Sequence, residues 1–191
     1  MENNNELSAR QSLAIINETL DSTRRAILRG NAKYFLLWGL LLTVLSLVIF
    51  CLWHSTGNPA WNWLWFLMPV AGYPVASVLS GKDKTLPQGQ LGSILGLVWA
   101  VFAVFSLVLS VIAVLVLPFN ITLVIVVLLG LTECVSGVVL KSWPILVSGF
   151  ILGVGGAVAA LLLKTEAQLL LFTLGGVLLA LTGLVVKFQY R

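Results

Sequence analysis

The sequence predicts an all-α fold: a polytopic membrane helix bundle of six transmembrane helices plus an N-terminal amphipathic helix. Three observations lead there. Of the 191 residues, 59% are hydrophobic and 9% are charged, against roughly 45–50% and about 25% in soluble domains. Six apolar runs each reach the length of about 20 residues that carries a helix across a hydrocarbon core of about 30 Å. Of the 18 charged side chains (11 basic and 7 acidic), nine lie within residues 1–33. The chain therefore divides into a cytoplasmic N-terminal amphipathic helix, residues 1–33, and a six-span transmembrane domain, residues 34–191. No stretch outside the bilayer is long enough for a second folded core.

The polar lead-in comes first. Residues 8–30 read as a helix, with Ser8 and Gln11 fitting a capping box and Gly30 fitting a stop. Leu13, Ile16, Leu20, Thr23 and Ile27 recur at steps of three and four and share one face. Two heptads are short for a free coiled coil. Three placements stay open. The helix lies on the cytoplasmic leaflet, with Arg24, Arg25 and Arg29 as membrane-surface contacts to anionic headgroups. Or it packs under the bundle. Or it docks a cytoplasmic protein partner or a second copy of the chain.

The six runs are Tyr34–Trp53, Trp61–Ser80, Leu91–Leu117, Ile121–Leu140, Ile145–Leu163 and Ala167–Val186. The breaks carry Gly57 and Pro59, then Pro87, then Pro118 to Asn120, then Lys141 to Pro144, then Lys164 to Glu166. The third run is long and is expected to tilt or to begin among the headgroups. The second holds Pro69, Gly72 and Pro74, so a helix kink is expected there. Runs that are continuously apolar, without alternation, exclude a membrane β-barrel.

Orientation follows from Lys and Arg. With the N-terminus inside, ten basic residues fall on the cytoplasmic side and Lys164 alone on the other. The positive-inside rule then puts both termini in the cytoplasm of a multi-pass inner-membrane protein. Trp53, Trp61, Trp63 and Trp65 cluster at the first outer loop, as an interfacial aromatic belt does. The apolar run after residue 33 is too long, and the lead-in too acidic, for a cleaved signal peptide.

Several function classes drop out. The pI near 9.3 does not imply nucleic acid, because the basic residues sit in short segments between spans. Cys51 and Cys134 are expected at depths about 15–20 Å apart, beyond disulfide reach. His54 is the one histidine, and with Cys51 it supplies two ligands where a structural zinc site needs four. No catalytic residue, no metal site and no cofactor is expected.

Glu133 is the single charged residue deep within a span and the candidate ion, proton or polar-packing site. A charge there costs a few kcal/mol on insertion scales, so the acid is expected to keep its proton. Ser136, one turn along, is the expected hydroxyl partner, and Lys141 a poorer one. Glycines crowd the second half of the chain, and Gly149 with Gly153 forms a small-xxx-small helix-packing pair. The stretch Gly153-Val154-Gly155-Gly156 resembles a phosphate loop only superficially, since no strand precedes it. Irregular second and fifth spans in matching positions are a weak pointer to a transporter site. Asn120-Ile121-Thr122 is a glycosylation sequon too close to the membrane for a sugar.

Two stretches carry a resemblance. One is Gln11-Ser12-Leu13-Ala14-Ile15-Ile16-Asn17-Glu18-Thr19, running on through Ser22-Thr23-Arg24-Arg25 into Tyr34-Phe35-Leu36-Leu37-Trp38-Gly39. The other is Ser136 to Leu146. Together they resemble a group of uncharacterised bacterial integral membrane proteins with a short polar helix before six spans. The resemblance covers most of the chain. It implies an inner-membrane location and transfers no catalytic residue, ligand or reaction.

The expected function is that of an integral inner-membrane protein without enzymatic activity. Its role is structural or regulatory, through helix packing and the cytoplasmic helix. Its partners are the lipid bilayer and a homo-oligomer or cytoplasmic protein. The alternative is a small-molecule or ion transporter or channel subunit that uses Glu133 and the kinked second span.

Overall fold

A computed structural model describes the backbone of residues 2–81 and 90–190 and the side chains of residues 10–79 and 91–190. Lys82, Lys84, Pro87 and Arg191, and the side chain of Ser8, lie outside the described residues. Within them the regular structure is all helical, joined by short turns, with no strand.

The first helix, α1, runs unbroken from Glu2 to Thr56. The expected cap at Ser8 and stop at Gly30 are both overturned, and the boundary between residues 33 and 34 falls inside the helix. The reason is tertiary. A helical glycine costs only about 1 kcal/mol, and Ile27, Leu28, Ala32 and Phe35 on either side of Gly30 are all buried in one core. A stop at Gly30 would part them.

From Leu28 onward α1 has a buried seam. Leu28, Ala32, Phe35, Gly39, Leu42, Ser46 and Ile49 step by four and three and are all buried. The seam lies antiparallel against the last helix, α7 (Leu169–Gln189). A Cβ on Gly39 would stand 2.6 Å from Ala180 N, and one on Gly176 would stand 2.7 Å from Gly39 O. The two backbones therefore touch. Hydroxyls fill the same interface: Ser46 Oγ and Thr173 Oγ1 are 2.9 Å apart, and Thr43 donates to Gly39 O at 2.7 Å.

The expected second span, Trp61–Ser80, is not one α-helix. Pro59–Phe66 is a 3-10 helix and Leu67–Gly81 is α2. Pro69 supplies the reason. It has no N–H for Trp65 O, and its ring collides with that carbonyl, so α-helical pairing cannot run through it. Pro69 instead occupies the first turn of α2, where a missing donor is harmless. Pro74 then sits inside α2.

The remaining spans follow the sequence closely. They are α3 (Gln90–Leu115), α4 (Ile121–Val139), α5 (Trp143–Phe150), a π-helical segment (Ile151–Gly155), α6 (Gly156–Leu162) and α7. α5, the π-helical segment and α6 together make one crossing, Trp143–Leu162. Among the described residues five helices are long and apolar enough to cross a membrane, against the six runs read from the sequence.

α4 and α5 form a hairpin closed by a Schellman motif. Ser142 N–H donates to Gly137 O at 2.8 Å and Lys141 N–H to Val138 O at 3.1 Å. Lys141 takes φ 51° at the position that glycine usually fills. A side chain in this left-handed region costs about 1–2 kcal/mol. Lys141→Gly is therefore expected to raise the midpoint of thermal unfolding, by about 1 kcal/mol of stability, and Lys141→Val to lower it.

The opposite end of the bundle is tied by amides. Asn120 Oδ1 accepts from Leu123 N–H at 3.1 Å, capping α4, while its Nδ2 donates to Ala160 O at 3.2 Å. Gln168 Nε2 donates to the same Ala160 O at 2.7 Å. Ala160 O is one of the carbonyls that the end of α6 leaves without a helical partner. The sequon side chain is thus committed to helix capping.

Candidate functional site

Glu133 lies on the α4 face turned to α5 and is completely buried. α4 offers it no partner of its own, because the Ser136 hydroxyl donates back to Thr132 O at 2.8 Å. Its partner is Ser148 of α5, whose Oγ is hydrogen-bonded to Glu133 Oε1. Ser148 Oγ also lies 3.0 Å from Ile145 O. Glu133 Oε2 is buried with no hydrogen-bond partner, as is the Ser142 hydroxyl at the start of α5. Lys141 is exposed. Glu133 therefore faces the interior and pairs with a hydroxyl, but the hydroxyl comes from the next helix rather than from Ser136 or Lys141.

Four glycines bring the carboxyl and the hydroxyl together. A Cβ on Gly130 would stand 2.3 Å from Gly153 Cα, and one on Gly137 would stand 2.6 Å from Leu146 N. A Cβ on Gly149 would meet Cys134 N at 2.7 Å, and one on Gly153 would meet Gly130 Cα at 3.2 Å. Gly149 and Gly153, the pair singled out in the sequence, thus lie on the α4 crossing opposite Gly130. The other half of the contact, Gly130 and Gly137, has a seven-residue spacing that is one heptad. Cys134 Sγ donates weakly to Leu146 O at 3.6 Å at the same crossing. Beside it, Val135, Val138, Val139, Leu146 and Phe150 line an open apolar groove of about 410 Å³ with Cys134. Glu133 does not line that groove.

Glu133→Gln keeps the shape of the side chain and gives Ser148 an amide to bond. It is expected to leave the thermal midpoint unchanged or slightly raised. Glu133→Leu strands the Ser148 hydroxyl beside an apolar group and should lower stability by about 1–3 kcal/mol. Thermal unfolding of the detergent-solubilised variants reads both. An equal response to the two changes would show that the hydrogen bond to Ser148 contributes nothing.

The other sequence candidates are scattered. Gly72 of α2 seats the Trp38 indole: a Cβ there would lie 2.4 Å from the ring. Tyr73 meets the same indole edge to face, with centroids 5.6 Å apart. Gly72 thus shapes the contact of α2 with α1, while Pro69 and Pro74 are exposed. Of the three arginines, Arg24 turns to the bundle: its Nε donates to Val139 O at 3.2 Å, and its Nη1 pairs with Asp21 at 3.0 Å. Arg25 Nε bonds Asp21 O at 3.4 Å, and Arg29 is exposed. His54 stacks on Phe50 and stands 3.6 Å from Glu166 Oε1, both side chains being exposed. Cys51 and Cys134 are both free thiols. Among the described residues no three His, Cys, Asp or Glu side chains gather as metal ligands.

Sequence reasoning missed the polar contacts between helices, among them three at charged side chains. One is Ser148 with Glu133, fifteen residues apart. The others are Arg24 with Val139 O and Lys33 with Leu79 O, the latter at 2.7 Å. Both cations place charge on the negative end of a neighbouring helix, α4 and α2 respectively, where the helix dipole favours it. A lone serine beside a glycine in an apolar run was the only available signal for Ser148.

Comparison with protein families, curated proteins and solved structures yields no match.

Proposed function

We propose that the chain is a non-enzymatic, multi-pass inner-membrane protein that presents its N-terminal helix to another protein helix in the cytoplasm. The observation that carries this reading is the unbroken course of α1. Leu13, Ile16 and Leu20 are exposed, at 60%, 54% and 39%. The bundle reaches as far as the bond of Arg24 with Val139 O, but Lys33, the first charge beside the apolar part of α1, is taken as the cytoplasmic edge of the hydrocarbon layer. Leu20 and Leu13 lie about 20 and 30 Å further down the helix at about 1.5 Å per residue. The headgroup layer is only about 5–8 Å deep on each side. A continuous helix therefore carries the aliphatic stripe past the lipid, into water, where such side chains need a cover.

The stripe is separate from the bundle seam. Continued toward the N-terminus, the seam falls on Arg25, Asp21, Glu18, Ala14 and Gln11, whereas Leu20, Ile16 and Leu13 each fall two residues after a seam position. Two residues are about 200° around a helix, so these three side chains sit on nearly the opposite face and the bundle does not use them.

Six crossings fit this arrangement. The 3-10 helix and α2 together leave the far end of α1 and return Leu79 to the level of Lys33, which supports a second traverse in two pieces. An even number keeps both termini on the side holding ten of the eleven basic residues. The transporter alternative has less support, since Glu133 is fully buried and the groove beside it is apolar.

A photoreactive side chain placed at residue 16 in native membranes tests the reading. Residue 18, on the opposite face, is the control. A discrete protein adduct from residue 16 and none from residue 18 is the expected result, with self-adducts and adducts to another protein distinguished by mass. Lipid adducts at residue 16, or equal labelling at both positions, would overturn it.

A further inference from the structure

The contact between Glu133 and Ser148 contains one proton too few if the acid is ionised. Ser148 Oγ reaches two acceptors, Glu133 Oε1 and Ile145 O. A serine hydroxyl has a single proton and satisfies one of them. With the acid neutral, Glu133 Oε1–H donates to Ser148 Oγ, and Ser148 donates to Ile145 O. Both contacts are then hydrogen bonds, and the unpaired Oε2 is a neutral carbonyl oxygen rather than a buried charge.

Nothing nearby offsets the charged form. The elements packed along α4 are α3, α5, the π-helical segment and α6. Residues 91–115 and 143–162 contain no ionisable side chain. On α4 itself the one other titratable group is Cys134, and Lys141 beyond its end is exposed. From α1, Arg24 is engaged by Val139 O and Asp21, and Lys33 bonds Leu79 O. On α7, Lys187 is exposed. An uncompensated buried charge strongly destabilises the contact that holds it.

The two helices meet backbone on backbone at Gly130, Gly137, Gly149 and Gly153, with Val126, Leu129, Leu140, Ile145 and Leu152 buried along them, so an ionised Glu133 has no room for water until they separate. Three residues past Ser148 the helix changes to π-helical pairing over Ile151–Gly155. Such segments forgo regular α-helical bonding and mark places where helices adjust.

We propose that Glu133 and Ser148 form an intramembrane proton-binding latch. The bound proton holds α5 against α4, and its loss loosens the crossing, with the start of α5 still tied to α4 by the turn through Lys141 and Ser142.

The test uses the full chain in phosphatidylcholine vesicles. Dicyclohexylcarbodiimide dissolves in the bilayer and adds across a protonated carboxyl. The acid proton goes to a carbodiimide nitrogen and the carboxyl oxygen to its carbon, and acyl migration then leaves a stable N-acylurea. Mass spectrometry should find the adduct on Glu133 at pH 6 and at least tenfold less of it at pH 10. Spin labels at Val135 and Phe150, both on the lipid side of the crossing, report the separation of the helices. That distance should widen at pH 10 in the otherwise wild-type chain and stay at its pH 6 value in Glu133→Gln. Absence of the adduct at pH 6, or equal labelling at both pH values, would overturn the proton site without need of any variant. A distance indifferent to pH, or widening equally in Glu133→Gln, would overturn the latch.

Discussion

Gly130→Leu is expected to unseat α5 and α6 from α4, and Gly130→Ala to cost about 1–3 kcal/mol. A Cβ at residue 130 would lie 2.3 Å from Gly153 Cα and 2.7 Å from Gly149 O. Both neighbours are main chain, so no rotamer change relieves the clash and a whole helix must translate. Within lipid no hydrophobic effect draws the helices back together. Their association rests on close packing and hydrogen bonds, and the same displacement would stretch the Glu133–Ser148 bond. Gly155 is the control, since a Cβ there meets nothing within 4 Å. Gly155→Ala should shift stability by no more than about 0.5 kcal/mol. Thermal unfolding in detergent measures both, and equal midpoints for Gly130→Ala and Gly155→Ala would refute the packing argument.

The second large effect concerns where the N-terminal helix stops being an appendage. Deleting residues 1–20 is expected to leave the bundle intact, because residues 10–20 are exposed. Deleting residues 1–29 is expected to cost on the order of 4 kcal/mol. That deletion removes Ile27 and Leu28, 4% and 1% exposed, together with the Arg24 bond to Val139 O. The sequence alone suggests the opposite, since its charge distribution draws the boundary after residue 33 and leaves each span its own apolar run. Melting curves and trypsin resistance of the two truncated chains decide the matter. Similar stability in both would place the edge of the core above residue 29.

Charge counts and apolar run lengths make most of the helices legible, because lipid solvation is a local property of each segment. α3, α4 and α7 begin and end within a few residues of the runs that predict them. What fails is what depends on a partner distant in sequence. Gly30 reads as a stop until Leu28 and Ala32 are known to share a core with α7. Trp61–Ser80 reads as one span because hydropathy averages over Pro69, which acts through a single missing donor. At the site, Glu133 is conspicuous as an acid in a span, and Gly149 and Gly153 as a packing pair. Ser136 looks the natural partner because helix periodicity reports only neighbours on the same helix. Ser148 emerges once the glycines set the crossing of α4 and α5, a geometry carried by pairs of residues rather than by either run alone.

The unbroken α1 has a mechanical consequence. A jointed anchor would let a force tug or turn residues 10–20 while the bundle stayed still. Here continuous α-helical hydrogen bonding links those residues to Ile49 and beyond, so the helix transmits torque as a drive shaft does. Turning the N-terminal end would rotate Gly39 out from beneath Ala180 and bring bulkier flanking side chains onto the α7 backbone. The close fit at that interface resists such rotation until a threshold torque is reached, so a load on the free end would be delivered as a discrete slip rather than a gradual twist.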